Sequence, residues 1–238
     1  MDEKLYDAKW CRCRYALLRN KVEGGYTILD TFEKRYQLLR RRVSEWAGVM
    51  EKLRVEVEGS RLIMITLTIA KIEDYSPGMI RDYVKSLKYR LGKDLYGFAW
   101  VAEIQARGAI HYHFMVMVPK YTRVPMPDKS GMWEWGSSKV EKAKTAYYLC
   151  VYIGKERQKD LSRYPKSCRT YAVSYRLPEG QTRAYFEGLR LSEKVRHDDK
   201  KLLPKVDSDW EYLSSTVSKG YAEKVLIPSY YEGSIKYG

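Results

Sequence analysis

The chain predicts an α+β fold with a largely antiparallel central sheet and packed helices. Two observations carry this. Between residues 61 and 177, apolar runs of strand length alternate with stretches of helical periodicity. Two of those runs, Gly97 to Gln105 and Ile110 to Val118, lie close enough to form a hairpin about Arg107-Gly108.

Each element follows from its local pattern. From Tyr26 to Val57, Ile28, Phe32, Leu38, Leu39, Val43, Trp46, Met50 and Leu53 recur at near-helical spacing, so residues 1–60 read as a helical N-terminal extension. Glu58-Gly59-Ser60 breaks the pattern, and the β-branched run from Arg61 to Ala70 predicts a buried strand. Ser76-Pro77 is a helix start, with an apolar stripe from Ile80 through Tyr83, Val84 and Leu87 to Leu91, ending at Gly92. After the hairpin, Lys120 to Ser138 reads as a long loop, with Pro125, Pro127, Gly131 and Gly136 around Trp133 and Trp135. A third helix is expected from about Ser138 to Lys159, and a last strand over Arg169 to Leu177. Residues 61–177 thus form the expected core, and residues 178–238 a C-terminal extension packed on the same single domain.

Composition narrows the partners. The chain has 238 residues, 45% hydrophobic and 31% charged, and no run approaches the roughly 18 apolar residues of a membrane span. No membrane partner is expected. The charged start Met1-Asp2-Glu3-Lys4 lacks a signal-peptide pattern, so a cytoplasmic location is expected. Lysine and arginine number 44 against 30 acidic residues, a net charge of +14, which favours a polyanionic partner through counterion release. Twenty-two tyrosines and six tryptophans offer faces on which unpaired bases stack. The four cysteines lack zinc-ribbon spacing and read as free thiols.

The chemistry concentrates at His111-Tyr112-His113, which holds two of the three histidines in the chain. On a strand these two imidazoles share one face and Tyr112 takes the other. Glu103 on the preceding strand adds an anionic oxygen, a mixed donor set suited to Mn2+ or Mg2+. Glu103 joins that face only in an even hairpin register. A three-residue connection, Arg107-Gly108-Ala109, would place Glu103 opposite His113 and Gln105 opposite His111. Downstream, at about 100° per residue, Tyr152 lies about 40° from Tyr148 and Lys155 about 20° on its other side, one helical stripe. Such a stripe alone is ordinary packing, but beside a metal-ligand pattern it becomes a candidate nucleophile helix.

Taken in order, Ile65-Thr66-Leu67-Thr68, then Glu103 to His113, then Tyr148 to Lys155 resemble the three motifs of the HUH endonucleases, the rolling-circle replication initiators. The tyrosine pair followed by lysine is similar to the two-tyrosine initiators, including the gene A proteins of microviruses and the gene II type proteins of filamentous phages. Tyr171 to Tyr175 resembles the strand that follows the tyrosine helix in such proteins. The resemblance implies a ferredoxin-like or RRM-like HUH core acting on single-stranded DNA at a replication origin. In that chemistry His111, His113 and Glu103 hold the metal, Tyr152 attacks first with Tyr148 as its partner, and Lys155 steadies phosphate charge. The products are a 5′-phosphotyrosyl intermediate and a free 3′-hydroxyl, followed by strand rejoining. Alternating hydroxyls such as Thr66 and Thr68 are as often β-propensity choices, and they are left outside the catalytic set. No Walker A pattern occurs, so unwinding and extension are expected from a host helicase and polymerase. Two alternatives stand beside this reading: an HUH-type transposase with the same chemistry, and a non-catalytic RRM-like single-strand-binding module.

Overall fold

The computed structural model describes residues 13–105, 108–153, 163–165, 167–176, 180–198 and 210–216, with 219 and 223. The described residues divide into two compact units, one made of those up to Gln37 and from Trp210 onward, the other of those between Leu38 and Lys200.

In the smaller unit, β1 (Tyr15–Asn20) lies between β2 (Tyr26–Asp30) and β8 (Trp210–Thr216) in an antiparallel sheet. Asn20 makes the β1–β2 turn: its side-chain oxygen accepts the Val22 and Glu23 N–H groups at 2.9 and 3.1 Å. Asp30 then caps α1 (Thr31–Glu56), accepting the N–H groups of Phe32 and Glu33 at 3.0 and 3.1 Å. The expected helical extension is therefore part sheet. The cap at Asp30 sets the helix start, and Tyr26–Asp30, which its apolar spacing placed in the helix, pairs as a strand instead.

The larger unit is built on a five-stranded antiparallel sheet of order β6-β3-β5-β4-β7. Its strands are β3 (Ser60–Thr68), β4 (Gly97–Ile104), β5 (Ile110–Pro119), β6 (Ser138–Ala143) and β7 (Tyr171–Tyr175). α2 (Gly78–Leu91) joins β3 to β4, and the β3-α2-β4-β5 order matches the expected core. The region expected to begin a third helix is different: Ser138–Ala143 pairs with β3 as the edge strand, and the described part of the helix is only α3 (Tyr148–Ile153). Ser-Lys-Val-Glu-Lys-Ala alternates with period 2, and its lysines suit an exposed edge, so pairing with β3 overrides helix propensity. α4 (Arg183–Asp198) lies where the sequence showed no element. Phe186 meets the Tyr175 ring at 5.9 Å, Arg190 lies over that ring at 4.9 Å, and Glu193 pairs with Lys52 at 3.0 Å.

The sheet has two unlike faces. One carries Tyr112, Phe114, Trp100 and Phe98 against α2, whose Tyr83 contacts Phe114 edge to face at 5.0 Å. The 120–138 loop completes this core by inserting Trp133, fully buried, which contacts Tyr83 and Tyr112 and donates its indole N–H to Thr68 O at 3.0 Å. Gly136 lies so close to the end of β3 that a Cβ there would collide with Thr68 O. On the opposite face, residues 38–56 of α1 bury Val43, Trp46, Met50 and Leu53, and the Trp46 indole donates to Ser174 O at 3.0 Å. That face also bears both histidines.

Because only glycine fits this approach, Gly136→Ala is expected to destabilise the protein by about 2–4 kcal/mol. Urea denaturation measures it, and an unchanged midpoint would mean that the loop does not fasten β3.

Candidate active site

β5 pairs with β3 on one side and β4 on the other, so both histidines acquire neighbours from two strands. The even register that brings Glu103 to their face is present, displaced from the expected one. Glu103 pairs with His111 and Val101 with His113, where Glu103 with His113 and Gln105 with His111 had been expected. A displacement of two residues leaves the face unchanged because strand side chains alternate with period 2. The cause is the turn: Gln105 N–H donates to Ala109 O at 2.8 Å, so this pair closes the ladder, and Gly108 takes the left-handed conformation at φ 89°.

Glu103 reaches diagonally to His113, Oε2 to Nε2 at 2.8 Å, and both side chains are buried. The other ring nitrogen of His113 lies 3.3 Å from the Thr66 hydroxyl. His111, half-buried, lies between Thr68 Oγ1 at 3.4 Å and Gln105 Nε2 at 3.2 Å. The two rings are 6.0 Å apart. Thr66 and Thr68, left out of the candidate set, are thus the cross-strand partners of His113 and His111. Their alternation on a strand was visible in the sequence, but their pairing with β5 depends on a register set across the sheet.

The donor types suit a hard or borderline cation. Two donors about 2.1 Å from one octahedral ion and at right angles to each other stand about 3 Å apart, close to the His113–Glu103 separation. His111 is engaged instead with Thr68 and Gln105, and among the described residues no three His, Cys, Asp or Glu side chains converge on one point.

α3 lays its tyrosines over this face. The Tyr152 ring stacks on His113 with centroids 3.6 Å apart and planes 16° from parallel, and Tyr148 meets Tyr152 edge to face at 5.7 Å. Leu149 and Ile153 are buried, Tyr152 is half-buried and Tyr148 is 45% exposed. Burial first, then the neighbouring Tyr148 and the charges of Glu141 and Glu103, pushes the Tyr152 phenol well above the ordinary tyrosine range. Deprotonating it therefore needs nearby positive charge. Lys155 lies outside the described residues.

α1 fixes the start of α3. One Glu51 oxygen accepts the Thr145 hydroxyl and the Ala146 N–H, at 2.6 and 2.5 Å, while the other takes the Arg54 guanidinium at 2.8 Å. Burial alone would raise the Glu51 carboxyl, but the hydrogen bonds from Thr145, Ala146 and Arg54 outweigh it, and the net displacement is downward. Farther along, Ser44 Oγ lies 3.6 Å from Cys150 Sγ. Neither contact was legible in the sequence, where Glu51 is one acidic residue in a charged helix.

The fold and site together define an antiparallel α+β protein with paired strand histidines, a buried glutamate and two tyrosines converging on one sheet face. A family model for replication-associated proteins of the ORF2 and gene II protein type matches residues 62–157, less than half of the chain but spanning β3, the hairpin and α3. This similarity supports a role in replication initiation and an interaction with DNA. No curated protein and no solved structure matches the chain. Among the described residues no helix is long and apolar enough to cross a membrane.

Glu51→Gln is expected to speed hydrogen exchange at the Leu149 and Ile153 amides about fivefold, the effect of losing a helix-terminal cap. Because the folded carboxyl is displaced downward, the anchor is complete above the ordinary glutamate range and is lost as pH falls through the lowered value. Wild type acidified below that range should approach the variant, and equal exchange in both proteins at neutral pH would show that Glu51 does not hold α3.

Proposed function

We propose that the protein is a rolling-circle replication initiator that nicks single-stranded origin DNA with a tyrosine nucleophile. The observation that carries this reading is the stacking of Tyr152 on His113 while the same imidazole contacts Glu103, because it joins the nucleophile candidate to the ligand candidates at one point. His111, His113 and Glu103 would hold Mn2+ or Mg2+, which supplies Lewis-acid polarisation of a phosphate oxygen when bound. Thr66 and Thr68 orient the two imidazoles from β3.

Tyr152 Oη attacks phosphorus as its proton leaves; the P–O3′ bond breaks and the 3′ oxygen takes up a proton. The DNA 5′ end is then held as a phosphotyrosyl ester, and the free 3′-hydroxyl is available to a host polymerase behind a host helicase. Lys155, three residues beyond Tyr152, supplies charge to the phosphate. Tyr148 performs the second cleavage, which lets strands be exchanged and rejoined without release of the first covalent end.

The test uses a pool of 3′-labelled, random-sequence single-stranded oligonucleotides with Mn2+. The wild type should form a denaturant-resistant labelled adduct that chelator abolishes and added Mn2+ restores. Tyr152→Phe should lower its rate at least about tenfold, and the double change with Tyr148→Phe by more than about 10³-fold. An adduct that survives the double change sinks the reading. Separately, Thr66→Val should weaken Mn2+ binding about 10–100-fold by calorimetry; unaltered affinity would remove Thr66 from the site.

A further inference from the structure

Cross-strand registry places one more charged group on the active face. Thr66 pairs with His113 on one side and with Lys139 on the other, so Lys139, Thr66 and His113 form a row across β6, β3 and β5 with side chains on a common face. The next position of β6 on that face is Glu141, opposite Met64. At about 4.8 Å between strands, Lys139 begins about 10 Å from His113, and its long side chain spans much of that gap. The Lys139 ammonium is within electrostatic reach of the Tyr148 hydroxyl, and Glu141 of Tyr152.

We propose that Lys139 binds the scissile phosphate when Tyr148 is the attacking group, so that each tyrosine has its own lysine. The inference rests on the nickase reading above. Lys155 follows Tyr152 by three residues but Tyr148 by seven, and the two tyrosines sit one helical turn apart, so one lysine does not serve both attacks alike. Lys139 approaches instead from the sheet edge. Its ammonium is paired with Glu141 Oε2 at 2.7 Å, with side chains 68% and 40% exposed, and an exposed pair of this kind is weak and exchangeable. A phosphate oxygen can therefore replace the carboxylate as partner. In the step it assists, Tyr148 Oη bonds to phosphorus, the P–O3′ bond breaks, the phenol proton is lost and the 3′ oxygen gains one. Lys139 keeps its protons and offsets the charge growing on the non-bridging oxygens.

Single-tyrosine proteins test this with the same 3′-labelled random-sequence pool and Mn2+. In the Tyr152→Phe protein, where only Tyr148 can attack, Lys139→Met should cut adduct formation about 10²-fold, and Lys139→Arg should recover most of it. In the Tyr148→Phe protein the same Lys139→Met change should cost less than about threefold. Equal losses in both backgrounds, or no loss in the first, would overturn the assignment. Glu141→Gln frees the ammonium and should hold or raise the Tyr148-dependent rate; a fall matching Lys139→Met would make the ion pair a brace for β6 and overturn it too. If neither single-tyrosine protein forms an adduct with Lys139 intact, the nickase reading itself fails, a result distinct from a failure confined to Lys139.

Discussion

The site depends on one buried contact, the 2.8 Å approach of Glu103 Oε2 to His113 Nε2 across the β4–β5 hairpin. A carboxylate taken out of water needs a partner of opposite charge or strong hydrogen-bonding character. Here the partner comes from the adjacent strand, and only in a register that places both side chains on one face. A slip by one residue would send Glu103 into the aromatic core with Tyr112 and Trp100 and bring an apolar residue to the histidines. The displacement by two that distinguishes the observed register from the expected one is harmless for the opposite reason, since it changes the neighbour and keeps the face.

The rigidity of that face comes from the reverse side of the sheet. Phe114, Tyr112 and Trp100 pack edge to face with Tyr83 of α2 and with Trp133, which the 120–138 loop inserts against the end of β3. The indole bond to Thr68 O and the close passage of Gly136 hold the backbone of the same residue whose hydroxyl meets His111. Core packing and site geometry are therefore coupled through Thr68. The loop read from its prolines, glycines and tryptophans as a binding element serves the described structure as a clamp.

On the active face α1 has the corresponding role. Its Trp46 and Met50 cover the sheet, and Glu51 and Ser44 tether α3 at its start and middle, so that Tyr148 and Tyr152 lie over His113 without a long helix of their own. A short helix is marginal by itself, and the side-chain cap from Glu51 supplies what its own length does not. Because that cap is charge-assisted, the placement of the tyrosines is tied to the ionised state of one glutamate on another helix.

By itself the sequence determined the α+β class, β3, α2, β4, β5 and β7 nearly to the residue, the shared face of the two histidines, and the common stripe of Tyr148 and Tyr152. All of these follow from period-2 or period-3.6 patterns contained within single segments. Tertiary structure alone decided that Glu103 contacts His113 while pairing with His111, that Ser138–Ala143 is an edge strand instead of a helix, and that β1, β2 and β8 form a second sheet. It also decided that Thr66, Thr68, Glu51 and Lys139 border the site. The physical reason is common to these cases: strand pairing and side-chain partnership join residues far apart in the chain, and the preference that settles them lies in the partner strand, not in the local pattern.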